Sequence, residues 1–460
     1  RTIDQSIVTG AVDFTPVQRY FFEDPIFKVH HHFNQSVVLK SKEALSHNFL
    51  AKSIAALMEQ HDVLRMVYKK QEGNWMQFNQ DLSSSDTPVA FYDLREEENG
   101  LEVMADLGAK LQSGFDLEAG PLLKVGHFRL KDGDRLALII HHLVVDGVSW
   151  RILLEDLSTL YAQCAAGENL KLPLKTDSFQ RWASLQKEYA YGDNQKSEKP
   201  YWENICSESV PAFPMDMEKQ ESSIKMDSSV SFSLDESITE LLQTQVHGAY
   251  NTEINDVLLT GLGLAIKDTF GLDKSVVRME GHGREDIIAD VDISRTVGWF
   301  TSAYPFVLNL ADSKSAITSL IEVKEDLRRI PNKGIGYGIQ KYLSDGFNDV
   351  PQNSIEFNYL GDFGYNVSNK SDSFFEYSSE NIGSSVASEI ESDAILSISG
   401  MLVSGQLTLS IRFSKELHHL KTIENFADSY QKNLVALITE LSVIKENQLT
   451  PSDLTFKGLG

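Results

Sequence analysis

The sequence predicts a mixed α/β fold built as two lobes, and three observations carry that expectation. Stretches of strand and helix character alternate along the first part of the chain. From Val148 onward, Trp150, Leu153, Leu154, Leu157, Leu160, Tyr161 and Cys164 recur at spacings of three and four, which marks an amphipathic helix. Toward the other end, Leu407, Leu409, Ile411 and Phe413 alternate with Thr408, Ser410, Arg412 and Ser414, the period of a strand with one buried face.

Taken in order, an extended segment spans Phe33 to Lys40 and a helix runs from about Glu43 to Gln60. A hairpin follows, with its turn at Glu72-Gly73-Asn74. The apolar "RLALII" reads as a buried strand that feeds straight into "HHLVVDGVSW" and the helix beyond it. Between about 165 and 231 the pattern turns polar, rich in Lys, Glu, Ser and Pro and broken by "FQRW" and "YWENI"; this reads as the crossing between the lobes. Asp235 can cap a helix reaching about Ala249. A second helix places Ile254, Val257, Leu258, Gly261, Leu262, Ala265 and Ile266 on one face. The strand "KSVVRME" comes next, and a long helix from Thr422 to about Leu441 closes the second lobe.

Composition narrows the function classes. The 460 residues are 42% hydrophobic, enough for packed cores, and 42 Lys plus Arg against 66 Asp plus Glu give a formal charge of -24. Such a charge repels phosphate backbones and anionic membrane surfaces, so neither nucleic acid nor a membrane is expected as a partner. The two cysteines, Cys164 and Cys206, have no metal or CxxC spacing, and no disulfide is expected. No apolar run approaches the roughly 20 residues of a membrane span, and "RTIDQSIVTG" lacks a secretory apolar region, so the expectation is a cytoplasmic protein. Asn366-Val367-Ser368 matches a glycosylation sequon, which in that compartment means only a polar loop.

Two clusters carry chemistry. His141 and His142 stand where a strand meets a helix, followed by Asp146 and Gly147. Histidine titrates nearest neutrality, so this pair is a candidate proton handler held by rigid elements. The second cluster is "EGHGRE", residues 280 to 285, again at a strand end, where Gly281 and Gly283 permit a tight turn and Glu280, His282, Arg284 and Glu285 project from it. The blander reading of each is a hydrogen-bonded structural histidine and a solvated, salt-bridged turn. Gly-aromatic density also marks "RTVGWFTSAYP", "PNKGIGYG" and "EFNYLGDF". The spacing of Gly334, Gly336 and Gly338 fits neither a P-loop nor a dinucleotide fingerprint, and Ser149 is not in a GxSxG elbow. His30 to His32 and His418-His419 lack metal-ligand spacing and read as surface or edge residues, so no metal and no cofactor is expected.

In sequence order, "TPVQRYFF", "HHLVVDGVS", "NDVLLTGLG", "EGHGRE", "RTVGWFTSAYP", "PNKGIGYG" and "FNYLGDF" resemble the motif series of the epimerization domains of nonribosomal peptide synthetases, over nearly the whole chain. The HHxxxDG element alone is shared with condensation domains and chloramphenicol acetyltransferase-like acyltransferases. "EGHGRE" and "RTVGWFTSAYP" resemble epimerization domains far more than chain-elongating condensation domains, and the closing "TPSDLTFKGLG" is similar to that family's C-terminal edge.

The resemblance implies two chloramphenicol acetyltransferase-like lobes in a V-shaped pseudo-dimer around a central tunnel. Residues 1–175 would form the lobe carrying HHLVVDG and residues 176–460 the lobe carrying EGHGRE. It implies cofactor-independent L to D inversion at the α-carbon of an aminoacyl or peptidyl thioester, tethered to the 4'-phosphopantetheine arm of an upstream peptidyl carrier domain, with a downstream condensation domain as a further partner. Inversion asks for two proton-carrying groups on opposing walls, which His142 and Glu280 would supply, Glu280 as base and His142 as reprotonating acid in the L to D direction. His141 is expected to orient its loop, Asp146 and Gly147 to complete the motif, and Asp146 to pair with Arg284. Asn358 and Tyr359 could reach the cleft as hydrogen-bond donors or form a packed turn. Two alternatives stay open: an amide-forming condensation domain, which would need His142 but not Glu280, and a catalytically silent carrier-docking domain, which would need neither.

Overall fold

The computed structural model describes residues 1–82, 88–218, 223–351, 355–362 and 374–454. Strands β2 (Asn34–Ser41), β5 (Val89–Asp93), β6 (Leu123–Leu130), β7 (Gly133–His141) and β12 (Glu376–Ser378) form a five-stranded sheet in the order β12–β2–β7–β6–β5. All its pairs are antiparallel except β5–β6. Strands β8 (Ser228–Ser233), β9 (Lys274–Gly281), β10 (Ser302–Asn309), β11 (Ile355–Tyr359), β13 (Leu396–Val403) and β14 (Gln406–Phe413) form a six-stranded sheet, β10–β9–β11–β13–β14–β8, with β11 parallel to both neighbours. A small sheet, β1–β4–β3, joins Gly10–Val12, Asn74–Asn79 and Met66–Gln71. Its hairpin turns at Glu72 and Gly73, both at positive φ (53° and 82°), as a tight two-residue turn requires.

Helix starts follow the capping residues. Ser46 accepts the Phe49 N–H at 3.2 Å and opens α2 (His47–Gln60), so the helix begins four residues after the expected Glu43. Asp146 does the same for α4 (Gly147–Ala165), and Asp235 for α7 (Glu236–Gln243), which stops well short of Ala249. The polar crossing between 165 and 231 is more ordered than its composition suggests. It holds α5 (Phe179–Tyr189), capped by Ser178, and α6 (Asp193–Ser207), because Trp182 and Trp202 in the aromatic pieces each bury against a core.

Each large sheet has its own hydrophobic core. The first gathers Leu50 and Ile54 of α2, Leu136 and Ile139 of β7, and Leu153 and Leu157 of α4. It also takes in Ile293, Val297, Trp299 and Phe300 from the second half of the chain. The second packs α8 (Ile254–Phe270) and α11 (Leu420–Ser442) on one face of the six-stranded sheet, where Leu407, Leu409, Ile411 and Phe413 are fully buried. The other face of that sheet is polar. By alternation it presents Ser231, Ser410, Ser399 and then Glu356, Asn358, Arg278 and Glu280.

Both cysteines are free. Among the described residues no helix is long and apolar enough to cross a membrane, and no group of three or more His, Cys, Asp or Glu could hold a metal. The histidine runs are placed differently from the expectation. His418 is fully buried, its Nε2 2.9 Å from the Pro214 carbonyl oxygen and its ring against Phe213 and Phe270. His30 sits in an aromatic nest of Phe21, Phe22 and Trp75, and only His31 of its run is exposed. The rings that cover His418, and Trp75 beside His30, come from elements distant in sequence. The sequon at Asn366 lies outside the described residues.

Candidate active site

The chain reverses at the end of β7 through a 3₁₀ turn, His142–Val144, before α4 begins. This turn gives the two histidines opposite fates. His141 is fully buried, with Nε2 2.7 Å from the His30 carbonyl oxygen and Nδ1 accepting the Leu143 N–H at 3.1 Å. With both nitrogens engaged and no solvent to support a charge, burial holds its pKa down at about 3. It is a neutral brace for the turn.

His142 keeps one nitrogen available. Its Nδ1 lies 2.8 Å from the Val145 carbonyl oxygen, which can only accept, so Nδ1 carries the proton in the neutral ring. Nε2 is left with its lone pair, 3.3 Å from the Gln35 amide nitrogen. The Trp150 indole donates to Gln35 Oε1 at 2.9 Å, which fixes that amide with its N–H toward the imidazole. Above the ring lies Trp299, 4.1 Å between centroids and tilted by 28°, with Phe33 stacked at 5.3 Å. Burial among these rings lowers the pKa of His142 below its usual value, so the neutral base dominates at pH 7.

The second motif is shaped by a glycine. Gly283 has φ +72°, and a Cβ there would lie 1.6 Å from the Phe300 carbonyl oxygen, so only glycine lets the loop pass this close. Arg284 then turns inward and ties the two motifs together. Its Nη2 is 3.1 Å from Asp146 Oδ1 and 3.0 Å from Ser149 Oγ, Nη1 donates to the Ile293 and Thr296 carbonyls, and the guanidinium stacks 3.9 Å over Phe300. Asp146 uses its remaining capacity on two backbone N–H groups, Ser149 at 2.8 Å and Phe300 at 3.0 Å. A buried charge pair of this kind persists only when nearly every lone pair and N–H is matched.

Glu280 sits near the end of β9, opposite Ala303 of β10, and among the described residues its carboxylate has no hydrogen-bond or ion-pair partner. Burial raises its pKa to about 7, helped by the Glu356 carboxylate and opposed by Arg278. Arg278 shares its face of the strand and crosses to α1 (Pro16–Glu23). It donates to Tyr20 Oη at 2.6 Å, lies 4.3 Å over the Tyr20 ring, and has Glu356 3.8 Å away.

The β11 register divides the remaining two candidates. Phe357 pairs with Met279, so Asn358 follows at the level of Glu280 on the polar face, whereas Tyr359 turns to the opposite face and packs against the second core. Trp299, Gln35, Arg278 and Glu356 were not singled out from the sequence. The period-two relation of Arg278 to Glu280 was a signal that could have found one of them. A cavity between α1, α10 (Ile335–Leu343) and the β9–β10 ladder reaches Arg278 and Ala303 but has neither His142 nor Glu280 in its walls. The site described above lies beside that cavity.

Comparison with known proteins agrees with this architecture. Surfactin synthase subunit 1 of Bacillus subtilis (strain 168) is 42% identical over 98% of this chain, and tyrocidine synthase 2 of Brevibacillus parabrevis is 40% identical over 99%. The chain spans only 13% of the length of each. The crystal structure of the epimerization domain from the third module of tyrocidine synthetase B superposes with a TM-score of 0.88 at 38% identity, covering 96% of this chain and 99% of that one. The condensation domain of the Monacolin K polyketide synthase shares the fold at 14% identity, with a TM-score of 0.72 over 95% of this chain and 99% of its own. The profile of the condensation-domain family matches residues 8–457, the span that holds both sheets and both motifs, and the chain belongs to that family.

Proposed function

We propose that the chain is an epimerization domain of a nonribosomal peptide synthetase. It inverts the α-carbon of an aminoacyl or peptidyl thioester held on the phosphopantetheine arm of an upstream carrier domain and passes the product toward a downstream condensation domain. The observation that carries this reading is the pairing of two unlike proton carriers: a neutral imidazole whose Nε2 lone pair meets only the Gln35 amide, and a carboxyl, unpartnered among the described residues, whose pKa of about 7 lets it give or take a proton near neutrality. The two stand on separate elements joined through Arg284 and Asp146.

In the L to D direction Glu280 takes the α-proton, and the C–H electron pair moves into the thioester carbonyl to give an enolate. His142, bearing a proton, returns one to the opposite face as the carbonyl re-forms. The reverse reaction exchanges the roles, so both directions run on one proton shared by the pair. His141 holds the turn, Asp146 and Arg284 hold the two loops in register, and Gly147 starts α4 beneath them. Asn358 is placed to hydrogen-bond the substrate beside Glu280, and Tyr359 supports the strand from the core side. We assign residues 1–175 to the lobe that supplies His142 and residues 176–460 to the lobe that supplies Glu280, with β12 and residues 293–300 crossing back from the second half to complete the first sheet and its core. No cofactor of its own enters the mechanism.

The test is a carrier domain loaded with an L-aminoacyl or L-peptidyl thioester and incubated with the protein in heavy water. Deuterium at the α-carbon together with D configuration is the expected result. Retention of both hydrogen and L configuration, or formation of an amide bond that needs His142 and survives Glu280→Gln, overturns it.

A further inference from the structure

Strand β2 runs beside β7, which brings Gln35 next to the end of the strand that carries the two histidines. The Phe33 carbonyl accepts the His142 N–H at 2.8 Å, and Gln35 Nε2 lies 3.3 Å from His142 Nε2. The Trp150 indole can only donate, and it lies 2.9 Å from Gln35 Oε1, so the amide oxygen is committed to Trp150 and the NH₂ group faces the imidazole. That nitrogen carries two hydrogens. One meets the Nε2 lone pair; the other has no acceptor among the described residues, on a side chain that is half-buried and so open to an incoming molecule.

Protonation of His142 changes what this amide can do. Once Nε2 holds a proton it is a donor, and the NH₂ group facing it has no acceptor to offer while Oε1 stays with Trp150. Both Gln35 hydrogens are then open to another acceptor. Enolate chemistry supplies one: as the α-proton leaves, negative charge gathers on the thioester oxygen, and a donor already fixed there lowers the barrier more than it tightens ground-state binding. The distances fit this use. For Nε2 to pass a proton to the α-carbon the two must approach to about 3 Å, and the carbonyl oxygen lies about 2.4 Å from that carbon across two bonds. A nitrogen 3.3 Å from Nε2 can meet that oxygen at hydrogen-bond distance while its own oxygen stays on Trp150. The Trp299 indole N–H, on the ring stacked over His142, also has no partner among the described residues, but it is closed off from solvent, so an entering oxygen meets Gln35 first.

We propose that Gln35 is a further catalytic residue, whose amide N–H donates a hydrogen bond to the thioester carbonyl oxygen as that oxygen takes on enolate charge. The inference rests on the reading of His142 and Glu280 as the two proton carriers. Gln35 keeps its own protons throughout: the α-proton goes to one carrier, the C–H electron pair goes to the carbonyl oxygen, and the other carrier returns a proton to carbon as the carbonyl re-forms. Because removal from either face passes through the same enolate, Gln35 serves both faces equally, unlike either proton carrier.

The experiment loads a carrier domain with the L- or the D-aminoacyl thioester and follows inversion and α-deuterium uptake in heavy water for the wild type, Gln35→Met and Gln35→Glu. Methionine removes both polar ends at similar length. Glutamate keeps an acceptor for the Trp150 N–H and offers no N–H of its own, so it holds the local packing while removing the donor. In both variants kcat is expected to fall about 10²-fold to 10³-fold with KM little changed, and exchange is expected to fall alike on the L- and the D-substrate, with thermal melts still cooperative. A residue that acted only by placing His142 would spare the exchange that Glu280 performs on the L-substrate. Exchange that persists on either substrate in either folded variant therefore overturns the inference while the epimerase reading stands. Absence of inversion and exchange in the wild type overturns both.

Discussion

Arg284 Nη2 stands 3.1 Å from Asp146 Oδ1, so the loop of one motif is clamped to the helix cap of the other. Removing the cation would leave a carboxylate buried and unpaired. Arg284→Ala should therefore destabilise the fold by about 3–5 kcal/mol, and a double variant with Asp146→Asn should recover part of that loss. Urea unfolding of the two single variants and the double variant measures the coupling; additive effects would show that the pair is not a unit.

Losing either proton carrier should cost inversion about 10²-fold to 10⁴-fold with the fold retained. His142→Ala is expected to keep some α-proton exchange on the L-substrate, and Glu280→Gln some on the D-substrate, because each leaves one face served. Near-normal inversion by folded Glu280→Gln would remove the two-group mechanism.

The pH profile should be a narrow bell, since both directions need one proton on the pair. The alkaline limb belongs to Glu280 at about 7, and the acid limb lies below the usual histidine value, where burial has pushed His142. Glu356 raises the Glu280 pKa and Arg278 lowers it, so Glu356→Gln should move the alkaline limb to lower pH and Arg278→Met to higher pH. Limbs that stay fixed in both variants would assign the titration to another group.

Glu280 should also tax stability in alkali. In the unfolded chain its carboxyl loses its proton near 4.5, whereas in the fold it holds it to about 7, so stability falls as pH rises between those values and the full penalty stands above them. Glu280→Gln is expected to be more stable than the wild type at pH 8, by about 3 kcal/mol, with no such gain at pH 4. Chemical unfolding at the two pH values reads the difference, and an equal effect at both would deny the cause.

Much of the fold was legible because its signals are local. The alternation from Leu407 to Phe413 reports a face that is wholly buried, and Asp235 announces its helix by capping it. Helices α5 and α6 were not, because their exposed faces swamp the few apolar anchors and Trp182 and Trp202 find their partners far away in the sequence. In the site, residue types revealed His142 and Glu280 as titratable groups at strand ends. Their proton affinities were beyond reach, since these depend on Trp299 over one ring and Glu356 on the next strand, neither of which is near in sequence. The same holds for His418, whose burial is made by Phe213 and Phe270.

Strand β12, at residues 376–378, completes the sheet that begins with β2 at residue 34. During synthesis, that edge of β2 therefore waits, its backbone groups unanswered, until more than three hundred further residues have left the ribosome. A nascent chain halted in the second half would present an open strand edge to its neighbours, the kind of surface through which unfinished polypeptides join one another. Truncation between the two sheets should accordingly yield aggregates rather than a smaller soluble protein.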